Sequence, residues 1–286
     1  MSWLGRWLLF AGTLTMIGAL VAPLLAQRYL ASGLRINERR HLARLGVLAA
    51  GTAVLGIALV FSGQLIAFRD PFVPWRDDAA FLLSSAWGKA WIFGTAAALV
   101  GLGAFVAAYR SLVGRRLAGA AALALACYPA LSGHAATGPL PWSIIADAGH
   151  VIAAGVWLGA LPALALLVRR RMGEAQSAGL SELFAGFTPI ALASAAGLTL
   201  TGAFATVLHI GSPAVLLSSA YGRWWLVKLS LFGVVVLLGA WNWRRAVPRL
   251  RSGEAESALQ RSIWLEASVA LLVLAATAVL VATAPP

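Results

Sequence analysis

Charge is scarce in this chain. Only 11% of its 286 residues are charged, against about 25% in an ordinary soluble domain. No polar stretch is long enough to hold a water-soluble domain. Cysteine is nearly absent. Cys127 stands alone, which excludes an intrachain disulfide and any CxxC motif. Histidine occurs 4 times and methionine 3 times. There is no HExxH, no Walker A loop and no GxSxG elbow, so no enzyme is expected. Without a nucleotide site, transport would have to run on a gradient or on ligand exchange.

What the sequence does have is apolar runs. A bilayer core takes about 20 mostly apolar residues as a helix, and backbone in lipid must satisfy its own hydrogen bonds. Runs near 6–26, 43–67, 90–109, 117–134, 142–168, 184–209, 224–243 and 262–284 predict an all-α fold. The expectation is a polytopic membrane helical bundle of eight transmembrane helices, one domain over 1–286. Arg6 before the first run resembles the start of a signal peptide. The run is longer than a typical signal core and no small-x-small site follows Leu25, so it is expected to stay as a helix. If it were cleaved, seven spans would remain.

The net charge of +12 is read as topology. A nucleic-acid binder gathers its basic residues on one soluble face with aromatics for stacking; no nucleic-acid partner is expected here. The loops after runs 1, 3, 5 and 7 hold 16 of the 22 basic residues, Arg169, Arg170 and Arg171 among them. The other side has Arg6, Arg69, Arg76, Lys89, Arg223 and Lys228. Positive loops stay in the cytoplasm, which predicts both termini in the periplasm of a bacterial inner membrane. Trp7, Trp75, Trp87, Trp91, Trp142, Trp224 and Trp225 then lie at outer ends, as an aromatic belt. The connection 70–88, with Asp70, Asp77 and Asp78, is the longest outer one. It reads as a solvated loop, or as a docking surface or metal-gathering mouth.

Ionisable groups inside a bilayer cost about 2.5–3.5 kcal/mol at a helix centre, so those that occur point to partners or tasks. Asp147 and His150 form a D-x-x-H pair on one helix face, and Trp157 follows one heptad later. A carboxylate beside an imidazole orients it or joins it as a metal ligand. One helix cannot complete such a site. His134 and His209 end runs on the same outer side and could supply the rest. Imidazoles with a carboxylate suit Cu(II) or Zn; Met16 or Cys127 would lean towards Cu(I). Cys127 lies one heptad before His134, on a face it could share deeper in the membrane. Against these stand plainer readings. Histidines at helix ends are often interfacial, Met16 and Cys127 are most often core, and Lys228 reads as a snorkelling residue or a pathway group. Gln64 is a hydrogen-bond partner at most. Glu266 is expected to pair with a cytoplasmic arginine, and His41 to be a solvated loop residue. A b-type haem protein or oxidase-assembly factor is the alternative, since haem takes axial histidines from facing helices.

Several segments look familiar together. F-T-P-I-A-L-A-S-A-A-G-L-T-L-T-G-A-F at Phe187–Phe204 carries a Thr-Gly pair. S-S-A-Y-G-R-W-W-L-V-K-L at Ser218–Leu229 carries Tyr221, Gly222 and Lys228. Asn242–Arg245 is N-W-R-R. Upstream are S-G-H-A at Ser132–Ala135 and D-A-G-H-V-I-A-A-G-V-W-L-G at Asp147–Gly159. In order and spacing this resembles the copper resistance protein D (CopD/PcoD) family over about residues 130–250. The resemblance implies an inner-membrane protein that moves or receives copper ions from the periplasm, often beside a soluble periplasmic copper-binding protein of the CopC type. Some relatives carry that partner fused; here Pro286 follows the eighth run directly, so fusion is not expected. The family's methionine-rich segments are missing, which shifts the expected ligand set to histidine.

Overall fold

The structure, a computed structural model, describes residues 2–108, 110–133, 142–172, 177–209, 217–250 and 256–283. The described residues form helices joined by short connections, with no strand among them. In order these are α1 (Ser2–Tyr29), α2 (Ile36–Ala67), α3 (Trp75–Ser84), α4 (Ala86–Ala108), α5 (Leu112–Ser132), α6 (Trp142–Trp157), α7 (Ala160–Arg171), α8 (Ser177–His209), α9 (Ala220–Trp241) and α10 (Glu256–Ala282). A π-helical turn, Asn242–Ala246, continues α9. Seven segments are long and apolar enough to cross a membrane: α1, α2, α4, α6 with α7, α8, α9 and α10. This is a multi-pass membrane bundle. The run expected at 117–134 is α5, of 21 residues with Arg115 and Arg116 near its start, and it falls outside those seven.

The core has two lobes that share α1. One gathers α1, α2, α4 and α5 around Met16, Ile57, Phe105 and Leu125. The other gathers α1, α7, α8 and α10 around Leu25, Leu164, Leu183 and Ile263. In the first lobe most core residues are alanine, which lets membrane helices approach closely; in the second, leucine is the commonest. At the tightest crossing a Cβ on Gly18 would lie 1.8 Å from the Gly159 carbonyl oxygen, and one on Gly159 would lie 1.9 Å from that of Leu14. Only glycine fits at either position.

The structure departs from the sequence expectations at four places. The run 142–168 is broken at Leu158–Gly159. Pro162 has no N–H to give the Leu158 carbonyl, and that oxygen accepts from Leu161 N at 3.3 Å instead. The connection 70–88 contains a helix, α3, held by Arg69, which reaches Asp78 at 2.8 Å and stacks over Trp75. Asp70 receives Phe72 N at 2.9 Å, so two of the three outer aspartates serve local structure. α2 starts at Ile36, so His41 is a helical residue; its ring meets the Arg170 guanidinium. Arg171 is not a free basic-loop charge. It is 2% exposed and clamps Glu38 with Nε to Oε1 at 2.7 Å and Nη2 to Oε2 at 2.8 Å. Its Nη2 also reaches the Gly33 carbonyl, and Arg35 N donates to Glu38. The end of α7 is thereby locked to the α1–α2 turn.

Candidate functional site

α6 enters the bundle from the side on which α9 begins and α8 ends. Asp147 and His150 lie one helical turn apart on it, about two turns below its first residue. The His150 ring faces α8, where Nδ1 is 2.8 Å from Thr201 Oγ1. The Thr201 hydroxyl in turn donates to the Gly197 carbonyl at 2.7 Å. A threonine hydroxyl has one hydrogen. With that hydrogen on Gly197, the contact is an Nδ1–H donation from His150, and Nε2 keeps the lone pair. Such a bond from the far nitrogen is what holds a metal-ligating imidazole in place. Gly202 completes the seat: a Cβ there would lie 3.8 Å from His150 Cε1. The Thr-Gly pair thus has a task, an acceptor followed by a flat surface for the ring.

α9 closes the third side. Ser219 caps it by accepting from Gly222 N at 2.9 Å. Trp225 ties it to α8 by donating to Thr206 Oγ1 at 3.0 Å. Tyr221 and Lys228, one heptad apart, lie on the face towards α6. The Asp147 charge acts on both Lys228 and Tyr221, and the Lys228 charge acts on His150. These side chains are half-buried in three apolar helices and form one electrostatic group.

The other expected ligands stand apart from this group or outside it. His209 is the last residue of α8, eight positions beyond Thr201 and so about 12 Å further along the axis; its side chain is outside the described set. His134 lies outside the described residues altogether. Among the described residues no three His, Cys, Asp or Glu side chains gather as a metal-holding group. Cys127 is a half-buried free thiol on α5. Met16 is fully enclosed, its methyl against Gly101. Gln64 is half-buried near the end of α2.

Trp157 and Glu266 belong together. The indole Nε1 donates to Glu266 Oε1 at 3.1 Å, and Asn242 Nδ2 donates to Oε2 at 2.8 Å. Ser262 bonds the Asn242 carbonyl oxygen, which fixes which end of the amide faces the carboxyl. Glu266 is 3% exposed. The expected arginine partner is therefore corrected: neutral donors hold this group. The misplacement came from the helix boundary, since α10 begins at Glu256 and carries Glu266 deeper than a span beginning at 262 would. Thr206 and Ser262 were not singled out from sequence; Thr201 and Asn242 entered only within the segments that carry the resemblance, with no role of their own. A hydroxyl beside a glycine in an apolar helix was the available signal for Thr201.

The copper resistance protein D domain profile matches residues 181–280, which run from α8 through α10. The "Copper resistance protein D" of Pseudomonas syringae pv. tomato is 34% identical over 268 residues, 84% of this chain and 85% of that protein. The chain belongs to the copper resistance protein D family. It is also similar to the "Copper transport protein CutJ" of Bacillus subtilis (strain 168), 28% identical over 158 residues, 55% of this chain and 28% of that protein. No solved structure matches it. Membership of the copper resistance protein D family makes this a copper-related membrane protein, and the matched helices carry Thr201, Tyr221, Lys228, Asn242 and Glu266.

Proposed function

We propose that this chain takes copper from the periplasmic side of a bacterial inner membrane and passes it through the bundle, with His150 as the central ligand. On the reading in which α5 also crosses, giving eight spans with both termini outside, His134, His150 and His209 fall on the periplasmic half. His134 and His209 receive the ion at the helix ends, and His150 binds it two turns below with Asp147 as ligand or orienter. A soluble periplasmic copper-binding protein of the CopC type would supply the ion. The observation that carries the reading is the His150–Thr201 bond. An imidazole with Nδ1–H engaged and Nε2 free, placed inside an apolar helix beside a carboxylate, is built to offer one nitrogen to a metal. Nitrogen and oxygen ligands suit Cu(II). The name of the Bacillus subtilis relative supports transport.

Asp147 and Lys228 cancel in charge, so an ion at His150 adds positive charge that the outer group does not balance. The test is metal content and visible absorption of the purified protein in detergent after copper loading, wild type against His150→Ala. Near-stoichiometric copper that falls at least severalfold in the variant, with no Soret band, is the expected result. Copper fully retained by the variant would remove His150 from the site. A Soret band would turn the reading to haem.

A further inference from the structure

The outer group lies between α6, α8 and α9. A second polar group lies deeper, between α6, the α9 π-turn and α10. Trp157 is seven residues below His150 on α6, about 10 Å further in. Glu266 is five residues beyond the exposed Arg261 on α10, about 7.5 Å further along the axis, inside the apolar span and nearer its basic end than its middle. Both of its oxygens are held, by an indole and a carboxamide. The π-turn that presents Asn242 is a costly local geometry often found at functional positions.

Among the described residues no cation answers this carboxyl. Trp157, Asn242 and Ser262 are neutral, and Gly239 and Phe232 complete the α9 side. On the packed elements Arg28, Arg169, Arg170, Arg223, Arg244, Arg245 and Arg261 are exposed; Arg244 and Arg245 stack on Trp243 and Trp241. Arg6 lies by Val281, fifteen residues along α10 from Glu266, and Lys228 lies fourteen residues before Asn242, each about 20 Å along a helix axis. Arg171 is engaged with Glu38. An isolated ionised carboxylate is costly inside an apolar slab. Its charge has to be balanced by something that comes and goes, either a proton or the passing ion.

We propose that Glu266 is where a proton and the copper ion replace one another, so that copper crosses this protein in exchange for protons. This rests on the transport reading above. When the ion arrives, the carboxyl O–H bond breaks and its proton leaves to water on the side from which the ion came. The carboxylate then balances one unit of the ion's charge, so one proton is exchanged per ion at this group and a Cu(II) ion carries one net positive charge across. When the ion leaves on the far side, the carboxylate takes a proton there. No electron moves, and each turnover returns Glu266 to its starting form.

The experiment uses the whole chain in liposomes containing a pH-sensitive dye, with copper added outside and a pH gradient imposed in either direction. The wild type is expected to move copper inward faster when the inside is acid and more slowly when the outside is acid, with protons moving the opposite way. Glu266→Gln is expected to lose gradient-driven movement at least tenfold while its unfolding temperature in detergent stays near that of the wild type, and Glu266→Asp to recover part of the movement. A purely structural role would lower the unfolding temperature as well and would not be rescued by aspartate. Copper movement by the wild type that ignores the gradient, or coupling that survives in Glu266→Gln, overturns the exchange and leaves transport standing. Absence of copper movement by the wild type under either gradient overturns transport and the exchange with it. The wild-type gradient measurement decides even if the Gln variant does not fold.

Discussion

The two sides of this bundle are built differently. α1 and the α6–α7 segment are the most enclosed, with 61% and 67% of their most apolar stretch buried. α8 and α9 show 11% and 6%, and Leu200, Val207 and Leu237 face outward. The enclosed side is joined by glycine crossings and one ion pair at its edge. The open side carries Thr201, Tyr221, Lys228 and Asn242. Tight packing fixes a shape but leaves no room to move, because close-packed interiors respond to changes of a single methyl. Groups that must admit and release an ion are better carried by helices with few neighbours. α6 belongs to both sides: its lower half is clamped against α1, and its upper half offers Asp147 and His150 to α8 and α9.

Substitutions can break or sharpen this contrast. The largest effect is expected at the clamp. Arg171→Ala leaves Glu38 buried and unpaired and should cost about 3–5 kcal/mol, read as a fall in thermal unfolding temperature in detergent. Replacing both residues by methionine should recover most of it. Next is the crossing, where Gly159→Ala should cost about 1–3 kcal/mol by overpacking through the Leu14 contact. A neutral outcome there would mean that the enclosed side yields more than its distances suggest. Thr201→Val on the open side should cost only about 1 kcal/mol, yet weaken copper binding by tenfold or more, because the His150 tautomer and ring angle are no longer held. If stability fell and copper binding did not, Thr201 would be a packing residue. The smallest effect is expected for Met16→Leu, under about 1.5 kcal/mol with copper binding unchanged. Loss of copper there would bring the enclosed side into the path.

Hydropathy made the helices legible, because each span is a local property of about 20 residues. The D-x-x-H pair was legible for the same reason: Asp147 and His150 are neighbours on one turn. The pairings were not. Trp157 finds Glu266 across 109 positions and Arg171 finds Glu38 across 133, and neither pair leaves a periodic trace. Charge counting put Arg171 among the loop residues that set orientation, which its number supports and its burial does not. The Leu158–Gly159 break was half-legible, since Pro162 stands in the first turn after it. The grouping of His134 and His209 with His150 rests on shared sidedness alone.

The Arg171 clamp also has a consequence for how the chain is made. Its partners on the α1–α2 turn leave the ribosome more than 130 residues earlier. Until α7 arrives, Glu38 has the Arg35 N–H but lacks its guanidinium partner. Completion of the clamp therefore reports that α7 has docked on the α1–α2 turn. A chain stalled or cut before Arg171 displays an orphan carboxylate beside an apolar seam, the kind of mark by which a membrane protease could tell an unfinished bundle from a finished one.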